Sequence, residues 1–404
     1  MAKKQKRIKP KEIPTKRQLS RWQRETRIRR IIIIAAAVFL AGVISYVGYG
    51  YYENERKPLH EIAIEVNDTS FNMGYYVQML DAQTRDMEPT YIPYMTDQVG
   101  RYIEDAELMK QGANDLEIVV TTQEIDEEIK ENESPNDKVY RDMVRAKLLG
   151  KRLQEYFDSQ LPDTMEQAHI QVMLVESQEV ADEVIAKIES GGNFTALVEE
   201  SSCDPRIEGD LGWLPKELMP NSLIGKTAFS LEPGGLSIVY DDSASKSLGY
   251  WLIKVTEKDK EKGEIYAWAM LLGSKQETQE VKAKLEAGGN FTALAEEYSQ
   301  DGGELGWLKR GDMGSEAFDK VVFGLPLNAV SEPVKDESIQ TMGGHWIVEV
   351  LDKGEHELSE ELRKGLASND FAQWFEEQRE NSTINNYLDE EKKAWAVERV
   401  LKGR

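Results

Sequence analysis

Residues 191–197 read Gly-Gly-Asn-Phe-Thr-Ala-Leu, and residues 288–294 read the same seven residues again. Both copies run on into a pair of glutamates (Glu199 and Glu200; Glu296 and Glu297) and a serine (Ser202; Ser299). Leu-Gly-Trp then recurs at 211–213 and 305–307, Phe-x-Leu at 229–231 and 323–325, and a strand-like run at 249–255 and 343–350. The offset stays between 94 and 97, so loops differ by a residue or two while the elements hold. Such a period is far longer than that of a solenoid. It implies two tandem copies of one small domain, with the rest of the chain arranged around the pair.

Each copy has the same internal order. In the first, 168–175 alternates as a strand, and 178–190 is an amphipathic helix carrying Val180, Val184, Ile185 and Ile188 on one face. Gly191-Gly192 stops that helix. Phe194, Leu197 and Val198 start another, and a polar loop at Asp204-Pro205 leads into Gly-Asp-Leu-Gly-Trp at 209–213. A short helix ends near Leu231, Pro233-Gly234 turns the chain, and 249–255 reads as the closing strand. The second copy repeats this course from about 264 to 353. Strands bracketing helices in so short a span indicate a small α+β domain.

Charge is distributed very unevenly. The chain carries a formal −23, yet residues 1–30 hold 13 Lys and Arg against two acids, a net of +11, which leaves −34 on the remainder. Between the two lie residues 31–50, Ile31 to Gly50, with no charged side chain. About 20 such residues at ~1.5 Å rise match a hydrocarbon core of ~30 Å. Tyr46, Tyr49, Tyr51 and Tyr52 crowd the far end, where an aromatic belt belongs, and Arg27, Arg29 and Arg30 precede the near end. The expectation is an uncleaved signal-anchor: a basic cytoplasmic arm over 1–30, a transmembrane helix over 31–50, and the bulk of the chain extracytoplasmic. A cleaved signal peptide competes with it, but no small-x-small site with a polar mature start follows. No cysteine follows closely enough for a lipid anchor. The acidic bulk argues against nucleic acid as a partner.

Residues 58–163 read as a helical module. A strand over 60–66 precedes a turn at Asn67-Asp68, and Ser70 is a candidate cap for a helix through about 82. Met95, Val99, Tyr102, Ile103, Ala106 and Met109 recur at helical spacing up to Gly112. Thr121 and Glu124 form a capping box. Ser134-Pro135 opens a long helix with Val139, Met143, Ala146, Leu149, Leu153 and Phe157 on one face, and Pro162 ends it. A single cysteine, Cys203, and four scattered histidines (His60, His169, His345, His356) leave no metal motif and no intramolecular disulfide. No cofactor is implied.

The run of strand, helix, Gly-Gly-Asn-Phe, Ser-x-Asp, Gly-Asp-Leu-Gly-Trp, Met, Ala-Phe-Ser-Leu-x-Pro-Gly and Gly-Tyr-x-Leu-Ile-Lys-Val resembles the parvulin-type peptidyl-prolyl isomerase (PpiC, rotamase) domain. Both repeats carry the resemblance, over 165–258 and 262–354. The helical module is similar to the chaperone domain of SurA- and PrsA-type extracytoplasmic foldases. The resemblance implies that a C-terminal segment, 357–404, returns as helices to complete that module. Residues 359–380, with Leu362, Leu366, Phe371, Trp374 and Phe375, are its candidate for doing so. The fold class expected is therefore α+β: a transmembrane helix, a helical module, and two small antiparallel-sheet domains.

Isomerisation of an X-Pro bond crosses a barrier of about 20 kcal/mol. A dry apolar pocket with a polar group at the twisted amide favours the transition state. The resemblance implies an apolar floor beneath a hydrogen-bonded cluster of two histidines, an Asp or Cys, and a Thr or Ser. In the second repeat Leu305, Met313 and Phe318 stand at the floor positions, Asp301 at the Asp position and Thr341 at the Thr position. The two histidine positions hold Ala269 and Trp346. In the first repeat Leu211 and Met219 match the floor, Ile224 replaces Phe, Asp204 matches the Asp, and Lys246 stands at the Thr position. Its histidine positions hold Val172 and Trp251. His169 and His345 sit at odd offsets from those positions, which puts them on the opposite sheet face.

Two functional readings follow. In the first, a membrane-anchored foldase binds Pro-containing or unfolded exported polypeptides, with catalysis chiefly in the second repeat. In the alternative, an inactive holdase or a scaffold of a membrane complex uses degenerate parvulin-like clefts. The preserved floor of the second repeat favours the first, and the missing histidines favour the alternative.

Overall fold

The structure is a computed structural model that describes residues 16–206 and 209–404. The first 15 residues of the basic arm lie outside the described residues. The chain divides into two compact units: residues up to Glu155 together with Phe371–Arg404, and Tyr156–Asp370.

The first unit begins with a long helix, α1 (Lys16–Tyr51), which contains the apolar stretch. Strands β1 (Ile62–Val66) and β2 (Thr69–Asn72) form a hairpin through Asn67, whose φ of 52° makes the left-handed turn. Then come α2 (Met73–Thr84), α3 (Thr96–Asp115), α4 (Thr122–Glu131) and α5 (Lys138–Gln160), the last turn of α5 belonging to the second unit. Two expectations need correcting here. Ser70 lies within β2, and the cap of α2 is Asn72, whose Oδ1 accepts from Tyr75 N at 2.9 Å. The long helix starts at Lys138, where Asp137 Oδ1 accepts from Tyr140 N at 3.0 Å, and not at Ser134-Pro135. The Thr121–Glu124 capping box is present.

The second unit holds both repeats. The first supplies β3 (Thr164–Val175), α6 (Gln178–Glu189), α7 (Phe194–Ser201), β4 (Asp210–Pro215), α8 (Ser222–Ser230), β5 (Leu236–Lys246) and β6 (Gly249–Asp259). The second supplies β7 (Glu264–Leu272), α9 (Lys275–Glu286), α10 (Phe291–Tyr298), β8 (Asp301–Leu308), α11 (Glu316–Val322), β9 (Val334–Asp336) and β10 (Thr341–Glu357). Together they form two four-stranded antiparallel sheets, each with one helix on one face and two on the other. The inner strands β3, β6 and β7 and the middle of β10 are buried on both faces and read as nearly continuous apolar runs. In β3, Ala168, Ile170, Val172 and Leu174 face the α8 side, while Met173 and Val175 face α6 and α7.

The closing strands are exchanged. One sheet has the order β4-β3-β10-β5 and the other β8-β7-β6-β9. The last strand of the second repeat therefore completes the first sheet, and the last strand of the first repeat completes the second. Val348 on β10 is the partner of Val172, and Ile253 on β6 is the partner of Ala269. The first lobe is thus built from β3, β4, β5 and β10, and the second from β6 to β9. The cause lies in the links. Local closure would set Trp251 opposite Val239, as Trp346 now is, and turn the chain back within 242–248. That segment, Asp-Ser-Ala-Ser-Lys-Ser-Leu, contains no Gly, Pro or Asn. Without a Gly or Asn to take the positive φ of a two-residue hairpin turn, the chain stays extended. Two lobes of one fold offer each closing strand an equivalent slot, so the links decide.

The crossing is itself a short ribbon. Lys246 pairs with Thr341 at the end of one sheet, and Gly249 with Asp336 at the start of the other. Thr341 Oγ1 donates to Leu248 O, and Gln300 makes two bonds to the Met342 backbone, at 2.9 and 2.7 Å. Gly249 leaves room here: a Cβ would lie 2.8 Å from Leu271, Ile339 and Thr341 side-chain carbons, which would have to shift.

After β10, α12 (Glu360–Glu380) spends its first half in the second unit, where Leu218 covers Gly365. Its second half joins the first unit: Trp374 lies over Gly112, Arg379 pairs with Asp105, and Phe375 packs on the core. Strand β11 (Ile384–Asn386) then pairs with β1, and α13 (Glu390–Gly403) buries Ala396 and Val400 against α2. Of the 359–380 stripe, the part from Phe371 on falls in the first unit, while Arg363 bonds Asp158 and Pro162 at the end of α5 in the second. Leu388, Ala396 and Val400 complete that core.

Candidate functional site

In the second lobe, Phe318 on α11 has no exposed surface, and Trp251 on β6 covers it edge-on at 5.4 Å between ring centroids. Leu305 and Met313 pack half-buried around the pair. The floor expected from the sequence is thus assembled, but an indole fills the space above it. The indole is held at its polar end: Trp251 Nε1 donates to Asp336 Oδ2 at 3.1 Å. Ser315 Oγ also donates to that oxygen and caps α11 by accepting from Phe318 N at 3.0 Å. One buried carboxylate fixes both the tryptophan and the start of the floor helix.

The first lobe repeats the device. Trp346 on β10 packs with Met219, Ile224 and the half-buried Leu211. Its Nε1 donates to Asp241 Oδ2 at 3.0 Å, and Asn221, which caps α8, donates to the same oxygen at 3.3 Å. Burial alone would raise both aspartates. The hydrogen bonds from Ser243, Trp346 and nearby backbone to Asp241, and from Ser315, Ser338 and Trp251 to Asp336, hold both below the usual carboxylate range. Neither aspartate stood in the sequence-derived site. A signal was present: Asp-acid-Ser recurs at 241–243 and 336–338 with the repeat's own offset.

The remaining candidates scatter. Because of the exchange, Trp346 serves the first lobe and Trp251 the second, the reverse of their assignment by repeat. Thr341 is buried in the crossing, paired with Lys246 in the first sheet, and Gln300, the neighbour of Asp301, bonds the Met342 backbone beside it. Asp301 is exposed on the edge strand β8, where Oδ1 accepts from Gly302 N at 2.7 Å. Asp204 is buried and held below its usual range by a two-point bond from Arg206, at 2.8 Å to each oxygen. Lys246 is buried in the crossing, with Nζ donating to Met342 O at 3.1 Å and to Gly343 O, and burial lowers its pKa. Ala269 and Val172, at the histidine positions, are fully buried. His169 bonds Asp210 at 2.7 Å, and His345 faces Tyr240 at 5.1 Å, both outside the clefts. Burial pushes the Cys203 thiol up to about 12, which makes it a poor nucleophile at neutral pH.

The first unit contains an open cleft of about 700 Å³. Phe71, Tyr75, Ile103 and Leu149 supply its apolar wall, and Lys110 and Arg141 stand at its rim. Strand β2, the edge of its sheet, contributes Thr69 and Ser70 to the lining. Tyr75 is fixed by its hydroxyl on Asp142 Oδ2 at 3.1 Å and by Lys138 over its ring.

Residues 160–259 and residues 272–352 each match the PPIC-type PPIase domain. The repeats are tandem parvulin-type domains. The parvulin-type unit is contiguous in sequence, so the exchange of closing strands belongs to the fold of this chain and not to its domain order. The chain is 28% identical over 240 residues to the Chaperone SurA of Dechloromonas aromatica, covering 52% of this chain and 52% of that protein. It is 38% identical over 127 residues to the Foldase protein PrsA of Geobacillus kaustophilus, covering 28% of this chain and 43% of that protein. The chain thus spans about half the length of the curated relatives it matches. A crystal structure of the peptidylprolyl isomerase PrsA from Bacillus cereus overlaps 83% of this chain and 91% of that one, at 12% identity and a TM-score of 0.28.

Proposed function

We propose that this chain is a membrane-anchored extracytoplasmic foldase that binds unfolded or Pro-containing exported polypeptides. The observation that carries the reading is the joining of two parvulin-type domains to a helical module with an open, aromatic-walled cleft. An extended apolar segment can lie in that cleft, and the free edge of β2 offers it backbone partners. The parvulin-type clefts serve differently. A proline ring reaches Phe318 only when Trp251 leaves it, so isomerisation in the second lobe is gated by the indole and its aspartate.

The apolar stretch Ile31–Gly50 anchors the chain, and the fall in charge from +11 to −34 across it sets the N-terminus in the cytosol. Two measurements test the reading. The full chain should suppress aggregation of an unfolded client, and filling the cleft with Ala106→Trp should remove most of that effect with the fold intact. A full effect from Ala106→Trp would overturn the cleft as the client site. Protease added to intact cells should digest all but a small membrane-bound stub, and full protection would overturn the topology.

A further inference from the structure

The foldase reading treats α1 as a tether, but no slack separates it from the folded unit. α1 ends at Tyr51, and residues 52–56 continue it as one turn of helix. That turn is already fastened to α13. Trp395 Nε1 donates to Asn54 O at 3.0 Å, Arg399 pairs with Glu55, and Lys402 stands 3.6 Å from Glu55. Four helical residues advance about 6 Å. The headgroup zone of one leaflet is about 5–8 Å deep. Whatever touches Asn54 and Glu55 therefore sits at or beside the lipid headgroups.

The last turn of α13 is bound in turn to the end of α2. Arg404 donates to Thr84 Oγ1 at 2.9 Å and to Met87 O at 3.4 Å, and it faces Asp81 at 3.5 Å. At this corner Met87, Tyr91 and Leu401 are 38%, 58% and 42% exposed. Scattered exposed apolar residues need no explanation, but a group of them beside a span's end does. The charges here do not form a basic patch. Arg404, Lys402 and Arg399 are matched by Asp81, Glu398 and Glu55, and Asp86 and Glu88 add exposed acid. Arg56 and Arg85 add exposed cations as Asp86 and Glu88 add acid, so the corner is near neutral and attraction to anionic lipid is not its driving force.

We propose that the α2 end, the turn after it and the last turn of α13 form a foot that inserts Met87, Tyr91 and Leu401 into the headgroup region of the outer leaflet. The partner is a neutral lipid surface, and the foot holds the helical unit in one orientation on the membrane. The inference rests on the anchored reading.

The test uses the full chain with Cys203→Ser in phosphatidylcholine nanodiscs containing a spin-labelled lipid. Single cysteines at Met87→Cys, Leu401→Cys, Phe39→Cys and Val119→Cys carry a fluorophore. Val119 is apolar and exposed as well, and its carbonyl is held by Arg152 of α5. Labels at 39, 87 and 401 should lose most of their emission, and the label at 119 should keep it, with little change in high salt. If 39 is quenched while 87 and 401 behave as 119 does, the foot is overturned and the anchor stands. If none is quenched, both are overturned.

Discussion

Trp251, from the first repeat, lies edge-on against Phe318, from the second, with their ring centroids 5.4 Å apart. Neither ring belongs to the other's repeat, so this contact exists only because β6 leaves its own repeat. Trp251→Ala should loosen the second lobe and leave the first nearly unchanged, although residue 251 lies within the first repeat's sequence. Emptying a buried tryptophan site costs about 3–5 kcal/mol. Hydrogen exchange should show protection lost in β7 and α11 and kept in β3 and α8. Loss confined to β3 and α8 would mean that the closing strand had stayed home.

The exchange can also be trapped covalently. Gln171 and Glu349 are Cα partners across β3 and β10. Lys254 is partnered by Trp268, which is the second-repeat counterpart of Gln171. With Cys203→Ser, the pair Gln171→Cys and Glu349→Cys should form a disulfide within the monomer, and Gln171→Cys with Lys254→Cys should not. The reverse pattern would show local closure. Adding Ser245→Asn and Lys246→Gly supplies a turn and removes the Lys246 bonds to Met342 and Gly343, so it should shift cross-linking from the first pair toward the second.

Much of this was legible beforehand. The repeat gave two domains because identical elements at one offset admit few other arrangements. The floors at Leu305, Met313, Phe318, Leu211 and Met219 followed from matching the parvulin-type pattern. The exchange was not legible, because the strands fit either sheet and only the 242–248 link, with no Gly or Asn, hinted at the choice. Thr341 and Lys246 meet in the crossing, which pattern matching does not anticipate because it assumes that a strand closes on its own repeat. The cap of α2 was missed by two residues because Ser70 and Asn72 are both good caps, and the pairing of β2 with β1 settles which is used.

Glu176 is a buried liability beside the crossing. Burial raises its pKa, Tyr250 supplies one hydrogen bond at 3.2 Å to Oε1, and Oε2 has no partner. A carboxyl whose folded pKa lies above its unfolded value weakens the fold above that pKa, and the penalty is relieved as pH falls toward the unfolded value of 4.5. Glu176→Gln should therefore raise the melting temperature at neutral pH, and the gain should vanish once the medium falls below 4.5. A gain that persists in acid would point to packing instead.

Asp336 and Asp241 should show the opposite sign. Both carboxyls are held below their usual value of 3.8 by hydrogen bonds formed only in the fold. Their contribution is present above the unfolded pKa and lost as pH falls through the folded one. The second unit should thus lose stability in acid below that value, while the Glu176 penalty is already gone. Asp336→Asn keeps the shape and one acceptor oxygen but cannot serve Trp251, Ser315 and Ser338 together. It should cost about 1–3 kcal/mol at neutral pH, and the cost should shrink in strong acid, where the wild-type carboxyl is itself protonated. Because Trp251 is then less firmly held, the variant should also bind Pro-containing peptides more tightly in its second lobe than the wild type does, measured by chemical-shift changes at Phe318. Asp241→Asn should act on Trp346 and the first lobe in the same way and leave Phe318 silent. If Asp336→Asn weakened the fold without changing peptide access to Phe318, the aspartate would be a structural brace only, and the indole would not be a gate.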